Sequence, residues 1–385
     1  MKKILVIIAV LIIFFFKFMP LNYVYASNNY DSIINDVLTS IDENSFSDIT
    51  NFLNEIFGSN LTLKEMIIKF FNGEITFNFD TLINFLTSGA TKFISNFGPL
   101  LCYVIFLGIL SNISNSIIGK NNDNIENNTV FYICYIVCVA IITKLLYEVV
   151  NYSINVIENV SNLVELVFPI MFSLSGLVGS FGVSLFKPFT AVLSLFTSTI
   201  VNNFFMPLIM IISATVIASN LSKNLSLNTL TKNLFSLFKW SIGIFTLIFS
   251  ALVTAQGFVN MQFNGASVKV LKYATGSLVP IVGGFLSGGV DVLLSSVILI
   301  KNSVGLITIV YLILYVGSKA VSILLFSFIV KFATSLCEPI IDSKFLNCIT
   351  KITDVFNLLA SLIFICGYIF IIVVLSFISV TGAVI

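Results

Sequence analysis

Asp291 is a lone carboxylate inside an otherwise apolar run, and it is the residue of this chain with the clearest potential for chemistry. It sits in the stretch 265–301, GASVKVLKYATGSLVPIVGGFLSGGVDVLLSSVILIK. Lys269 and Lys272 lead in, Lys301 ends the run, and Pro280, Gly283, Gly284, Gly288 and Gly289 lie between. A carboxylate in hydrocarbon is costly unless it faces protein, water or a partner charge. Lys144, Lys319 and Lys331 also stand in apolar surroundings and could supply that charge. A structural ion pair and a conduction or coupling role both follow from such a placement. Proline removes a helical hydrogen bond, and glycine allows close backbone approach. Gly284 and Gly288 form a GxxxG, and Gly176, Gly179 and Gly182 repeat every three residues. Tight helix packing is the first meaning of this pattern, and a discontinuous helix lining a cavity is the second.

Other constellations offer less. The chain has no histidine, which removes the usual general base near neutral pH, the commonest metal ligand and every Ser-His-Asp or Cys-His arrangement. Cys134 and Cys138 share a helix face but have no second pair nearby, so the six cysteines are expected as buried small hydrophobes. No GxxxxGK stretch exists to cradle nucleotide phosphates. Glu158 and Glu165 are expected in a wet loop at the outer face. An intramembrane protease would need a paired aspartate or a Ser-His site, and Asp291 is alone. The residues therefore predict no catalysis, cofactor or metal.

The elements that must hold these residues are membrane helices. The chain is 57% hydrophobic and only 10% charged, with a mean hydropathy of +1.06. Soluble chains carry roughly 25% charged residues, so a polytopic all-α membrane protein is predicted. A net charge of +1 argues against a nucleic-acid partner, which needs clustered positive charge. All basic residues are lysine, so bidentate arginine recognition is unavailable.

Three regions follow. Residues 1–26 look like a cleavable secretory signal: Lys2 and Lys3, an apolar run from Ile4 to Phe16, and Val24-Tyr25-Ala26 as the cleavage site. Residues 27–96 are acidic and amphipathic, and are expected outside the cytoplasm. Ile49, Phe52, Leu53, Ile56 and Phe57 make one helical face, and Thr62 with Glu65 is spaced as a capping box. Short helices of this kind need each other, the membrane surface or a partner to cover their apolar faces.

Residues 97–385 form the membrane domain. Spans are expected near 97–118, 129–147, 163–186, 188–218, 237–256, 277–300, 303–336 and 354–381, seven to nine in all because some are long enough to break. Lys319 could mark a tight turn within 303–336, and Asn202, Asn203 and Pro207 a break within 188–218. The positive-inside rule then meets a conflict, since Lys223, Lys232 and Lys239 fall outside if 188–218 crosses once. A re-entrant or double crossing there would remove it. Segment 219–236 has leucines near helical spacing among Ser, Asn and Lys, as in a surface linker, an interfacial helix or a helix that couples to a soluble partner.

The run from Gly265 to Leu306, followed by the apolar stretch to Cys337-Glu338-Pro339, resembles the stage III sporulation protein AE family of endospore-forming Firmicutes. Asn264, where the family often has an acidic residue, and the pair Gly283-Gly284, where it often has a single glycine, are minor departures. The resemblance implies a component of a multi-protein complex in the mother-cell membrane around the forespore. Its partners would be other membrane proteins of that complex, membrane lipid and a separate secretion-type ATPase. It carries over no catalytic residues. The alternative, a stand-alone secondary transporter or permease, would predict inverted repeats, and no convincing internal symmetry is visible.

Overall fold

The computed structural model describes residues 47–57, 61–62, 65–66, 68–69, 79–118, 125–177, 195–221, 227–252, 283–341 and 343–379. Among these, the regular elements are helices: α1 (Ser47–Phe57), α2 (Phe79–Ile118), α3 (Ile125–Leu177), α4 (195–221), α5 (228–252), α6 (Gly283–Leu336) and α7 (Ser343–Ser379). Six of them, α2 to α7, are long and apolar enough to cross a membrane. The expected leader 1–26 lies outside the described residues.

Several expected spans are not separate elements. Spans 129–147 and 163–186 belong to one helix through residue 177, the 53-residue α3, and spans 277–300, from residue 283 on, and 303–336 belong to the 54-residue α6. The physical reason lies in what ends a helix. Residues 148–162 contain charges and asparagines but no glycine or proline, and 301–303 (Lys-Asn-Ser) are equally free of breakers. Charge moves a residue to one face; it does not stop the backbone. Val149, Val150, Val156, Ile157, Val160 and Val164 form a buried stripe that carries α3 through the polar segment. Lys319 likewise marks no turn.

The expected break in 188–218 is also corrected over its described part. The helix runs unbroken from 195 to 221, and Val201–Phe205 relaxes into one π turn just before Pro207. A π turn widens the helix and absorbs a proline without reversing the chain. Segment 219–236 is not one interfacial helix: its second half forms the first turns of α5.

Interhelix contacts fix the order. α6 and α7 are antiparallel, with Ser327 Oγ donating to Thr353 O (3.0 Å), Lys331 paired with Asp354, and Phe326 against Phe356. Gly367 of α7 lets the backbone approach Val316, where a Cβ would lie 2.6 Å from Val316 Cγ1. α4 and α5 form a second antiparallel pair through Phe205 on Phe238 and Phe245, and Phe196 on Phe249.

One end of the bundle gathers the last turns of α2 and α4, the first turns of α3, α5 and α7, and the turn 337–341 that follows α6. There Asn112 Nδ2 donates to Ile340 O, Tyr135 Oη donates to Ile217 O, and Lys351 Nζ donates to Asn228 Oδ1 at 2.6 Å. The opposite end joins Phe168 and Phe172 of α3 to Phe377 of α7. These are called the turn end and the far end below.

Candidate functional site

The far half begins at an aromatic belt built on α6. Tyr311 and Tyr315 are one helical turn apart and stack at 5.3 Å. α1 inserts Phe52 against both rings, at 4.8 and 5.5 Å, and against Phe85 of α2 at 5.3 Å. Of the apolar face expected for residues 49–57, Phe52 thus packs on the membrane domain and Leu53 is buried. The chain after α1 is locked locally. Asn54 exchanges two hydrogen bonds with the Leu61 backbone (2.8 and 3.0 Å), while Thr62 and Glu65 make the expected reciprocal capping box (2.9 and 3.3 Å).

Lys319 lies at the same level. Its ammonium is 5.8 Å from the Tyr152 ring and 5.5 Å from the Tyr315 ring. An ammonium within about 6 Å of an aromatic face is held by the ring quadrupole, more strongly where water is excluded. Asn159 Nδ2 donates to Tyr315 Oη at 3.0 Å and closes the group.

Deeper in the far half, Lys301 is fully buried. Its Nζ donates to the carbonyl of Phe377 at 2.7 Å. Phe377 stands two residues before the end of α7, where carbonyls lack helical partners and the helix dipole favours a cation. The residue expected to end a span is therefore a buried cap on another helix.

The other sequence-derived sites fall as follows. Gly283, Gly284, Gly288, Gly289 and Asp291 lie on the first turns of α6, and nothing is described of their side chains. Lys269, Lys272 and Pro280 lie outside the described residues. Of the lysines considered as partners for Asp291, Lys144 meets Glu148 at 3.9 Å and Lys331 meets Asp354 at 3.4 Å, both at exposed positions. Glu158 and Glu165 are exposed as expected, yet on a continuous helix rather than a loop. Cys134, Cys138, Cys348 and Cys366 are buried as expected, whereas Cys102 is exposed and Cys337 half-buried.

Sequence reasoning missed Tyr152, Asn159, Tyr311, Tyr315 and the role of Lys301. A signal existed for the first group: Tyr311, Tyr315 and Lys319 recur every four residues on one face, as do Tyr152 and Asn159 at a spacing of seven. Lys301 gave none, because its acceptor is a backbone carbonyl 76 residues away.

Comparison with known proteins identifies the family. The family model described as stage III sporulation protein AE matches residues 61–381. The stage III sporulation protein AE of Bacillus subtilis (strain 168) is 23% identical over 321 residues, which cover 83% of this chain and 78% of that protein. No solved structure matches. With most of its length matched, including the stretch around Asp291 and the helices that carry the aromatic belt and Lys301, this chain belongs to the stage III sporulation protein AE family.

Proposed function

We propose that this protein is a membrane-embedded component of the secretion-like channel complex that connects mother cell and forespore and supports late forespore development. It acts as a structural or permease-like part, with energy supplied by a separate ATPase. The family match over 61–381 carries this reading. The architecture supports it: six membrane-length helices provide a polytopic base, and α1 is docked on that base rather than tethered as an independent domain. The proposed place is the mother-cell membrane surrounding the forespore, with residues 27–96 on the intermembrane side.

Affinity purification of the full chain from sporulating cells tests this reading. Recovery of other membrane proteins of the sporulation complex and of a secretion-type ATPase is the expected outcome. Recovery without them, together with solute uptake by the purified chain alone in liposomes, would overturn it in favour of a stand-alone transporter.

A further inference from the structure

We propose that the hydrocarbon layer surrounds only the turn end of the bundle, and that the far half of α3, α6 and α7 stands in extracytoplasmic water. The outward face of α3 from Asn155 to Ser173 is then a wet wall facing the intermembrane space. This deepens the channel-component reading by naming the surface of the base that meets water, and rests on that reading only for the identity of the compartment.

Length gives the first argument. Tyr135 at the turn end and Phe168 at the far end are 33 residues apart on one helix, about 50 Å at 1.5 Å per residue. A tilt of about 40° still leaves about 38 Å, against a hydrocarbon core of about 30 Å. Both clusters are fixed by contacts to α7, at Phe345 and Phe377, so one slab does not cover both.

The outward side chains decide which end is covered. Around the turn end they are large and apolar: Phe106, Leu110, Ile136, Phe328, Phe332 and Leu336 are all exposed. Such a girdle is stable only against lipid or a partner. Along the far half of α3 the exposed positions are Asn155, Glu158, Asn159, Asn162, Glu165 and Ser173, with Leu166 and Pro169 the apolar exceptions. The first part of α2, which runs beside the belt, exposes Asn84, Thr87, Ser88, Thr91, Lys92 and Ser95. Carboxylates and amides spread along a helix face in hydrocarbon would each cost about 1 kcal/mol or more.

The strong hydropathy of the far half has another source. Val164, Val167, Met171, Ile307, Val373 and Phe377 are buried against one another, as in the core of a soluble bundle. Hydropathy averages over all faces and does not distinguish a buried core helix from a lipid-facing one.

Connectivity agrees. With α2 to α7 each crossing once at the turn end, the connections 119–124, 222–226 and 337–342 share one side. Lys120 and Lys223 then lie together in the cytoplasm with Lys232, and the sign conflict around Lys223 disappears without a double crossing in 188–218. The assignment places Lys187, Lys269 and Lys272 in the outer connections, so lysine counts alone do not orient the bundle. The leader-like N-terminus and the acidic region 27–96 do, because α1 packs against the far-half belt.

Cysteine accessibility tests this in the full chain, expressed in intact non-sporulating cells whose extracytoplasmic membrane face meets the medium, using a charged maleimide that does not cross bilayers. Asn155→Cys and Asn162→Cys should label in intact cells several-fold above the unsubstituted chain. Glu338→Cys should label only after lysis, while Phe106→Cys and Phe328→Cys should stay near background in both. Background labelling of Asn155→Cys and Asn162→Cys before and after lysis would overturn the proposal, since it would put that face in lipid or against protein. Labelling of those two only after lysis, or of Glu338→Cys in intact cells, would overturn the orientation. Because labelling needs no sporulation partner, its failure would leave the channel-component reading standing. Failed co-purification would do the reverse.

Discussion

The turn end and the far half are built from the same long helices with similarly apolar sequences, yet they solve opposite problems. At the turn end, apolar residues face both inward and outward: Cys138 and Leu145 are buried while Ile136 and Tyr147 are exposed on the same helix. In the far half the inward set is unchanged in character, and the outward set becomes Asn155, Glu158 and Asn162. The inner surface therefore says little about the solvent. The outer surface says most of it, because only there does the surrounding medium act on the side chain.

Substitutions that separate the two regions should differ in size. The largest expected effect is in the far core. Lys301→Ala removes a fully buried stem and the donor to the Phe377 carbonyl, and should cost about 2–5 kcal/mol, read as a large drop in thermal stability in detergent. Lys331→Ala at the turn end, where the ion pair is half exposed, should cost under about 1 kcal/mol in the same assay. Equal losses would erase the contrast between the two lysines.

Next comes the outward face. Phe332→Asp puts a charge on the apolar girdle and should cost about 3 kcal/mol of insertion, seen as reduced protein in the membrane fraction. Asn155→Asp should stay within about 0.5 kcal/mol, as expected for a wet surface site. Similar losses at both positions would mean that the two faces meet the same medium.

Two glycines near the belt sharpen the comparison further. Gly367→Ala drives a Cβ to 2.6 Å from Val316 Cγ1 and 3.1 Å from its Cβ, so α6 and α7 must part, at a cost of about 1–3 kcal/mol. Gly317 is one residue beyond that valine with open space at its Cβ position, and Gly317→Ala should stabilise by up to about 1 kcal/mol through helix propensity. Opposite shifts in thermal stability for these two variants are the expected result. Asp354→Asn should cost under about 1 kcal/mol, as Lys331→Ala does, and less still in high salt.

What the sequence revealed was mostly local. Thr62 and Glu65 are three residues apart, and their reciprocal bonds need nothing but that spacing. Phe52 and Leu53 on one face of α1 were readable for the same reason, though the contacts of Phe52 with Tyr311 and Tyr315 were not. Helix class and membrane length followed from composition. The errors arose where polarity was taken for a boundary. Residues 148–162 looked like a loop because they are polar, and 319 like a turn because it is charged, whereas both lie within unbroken helices. The glycine-rich approach to Asp291 was singled out for its residue types, and its side chains lie outside the described ones.

The bond from Lys301 to Phe377 also sets an order of events during synthesis. The ammonium leaves the ribosome 76 residues before its carbonyl acceptor, so the far half of α6 waits for almost all of α7 before that contact closes. The contact thus closes late. A nascent chain stalled or cleaved before residue 377 would lack this acceptor for the Lys301 ammonium.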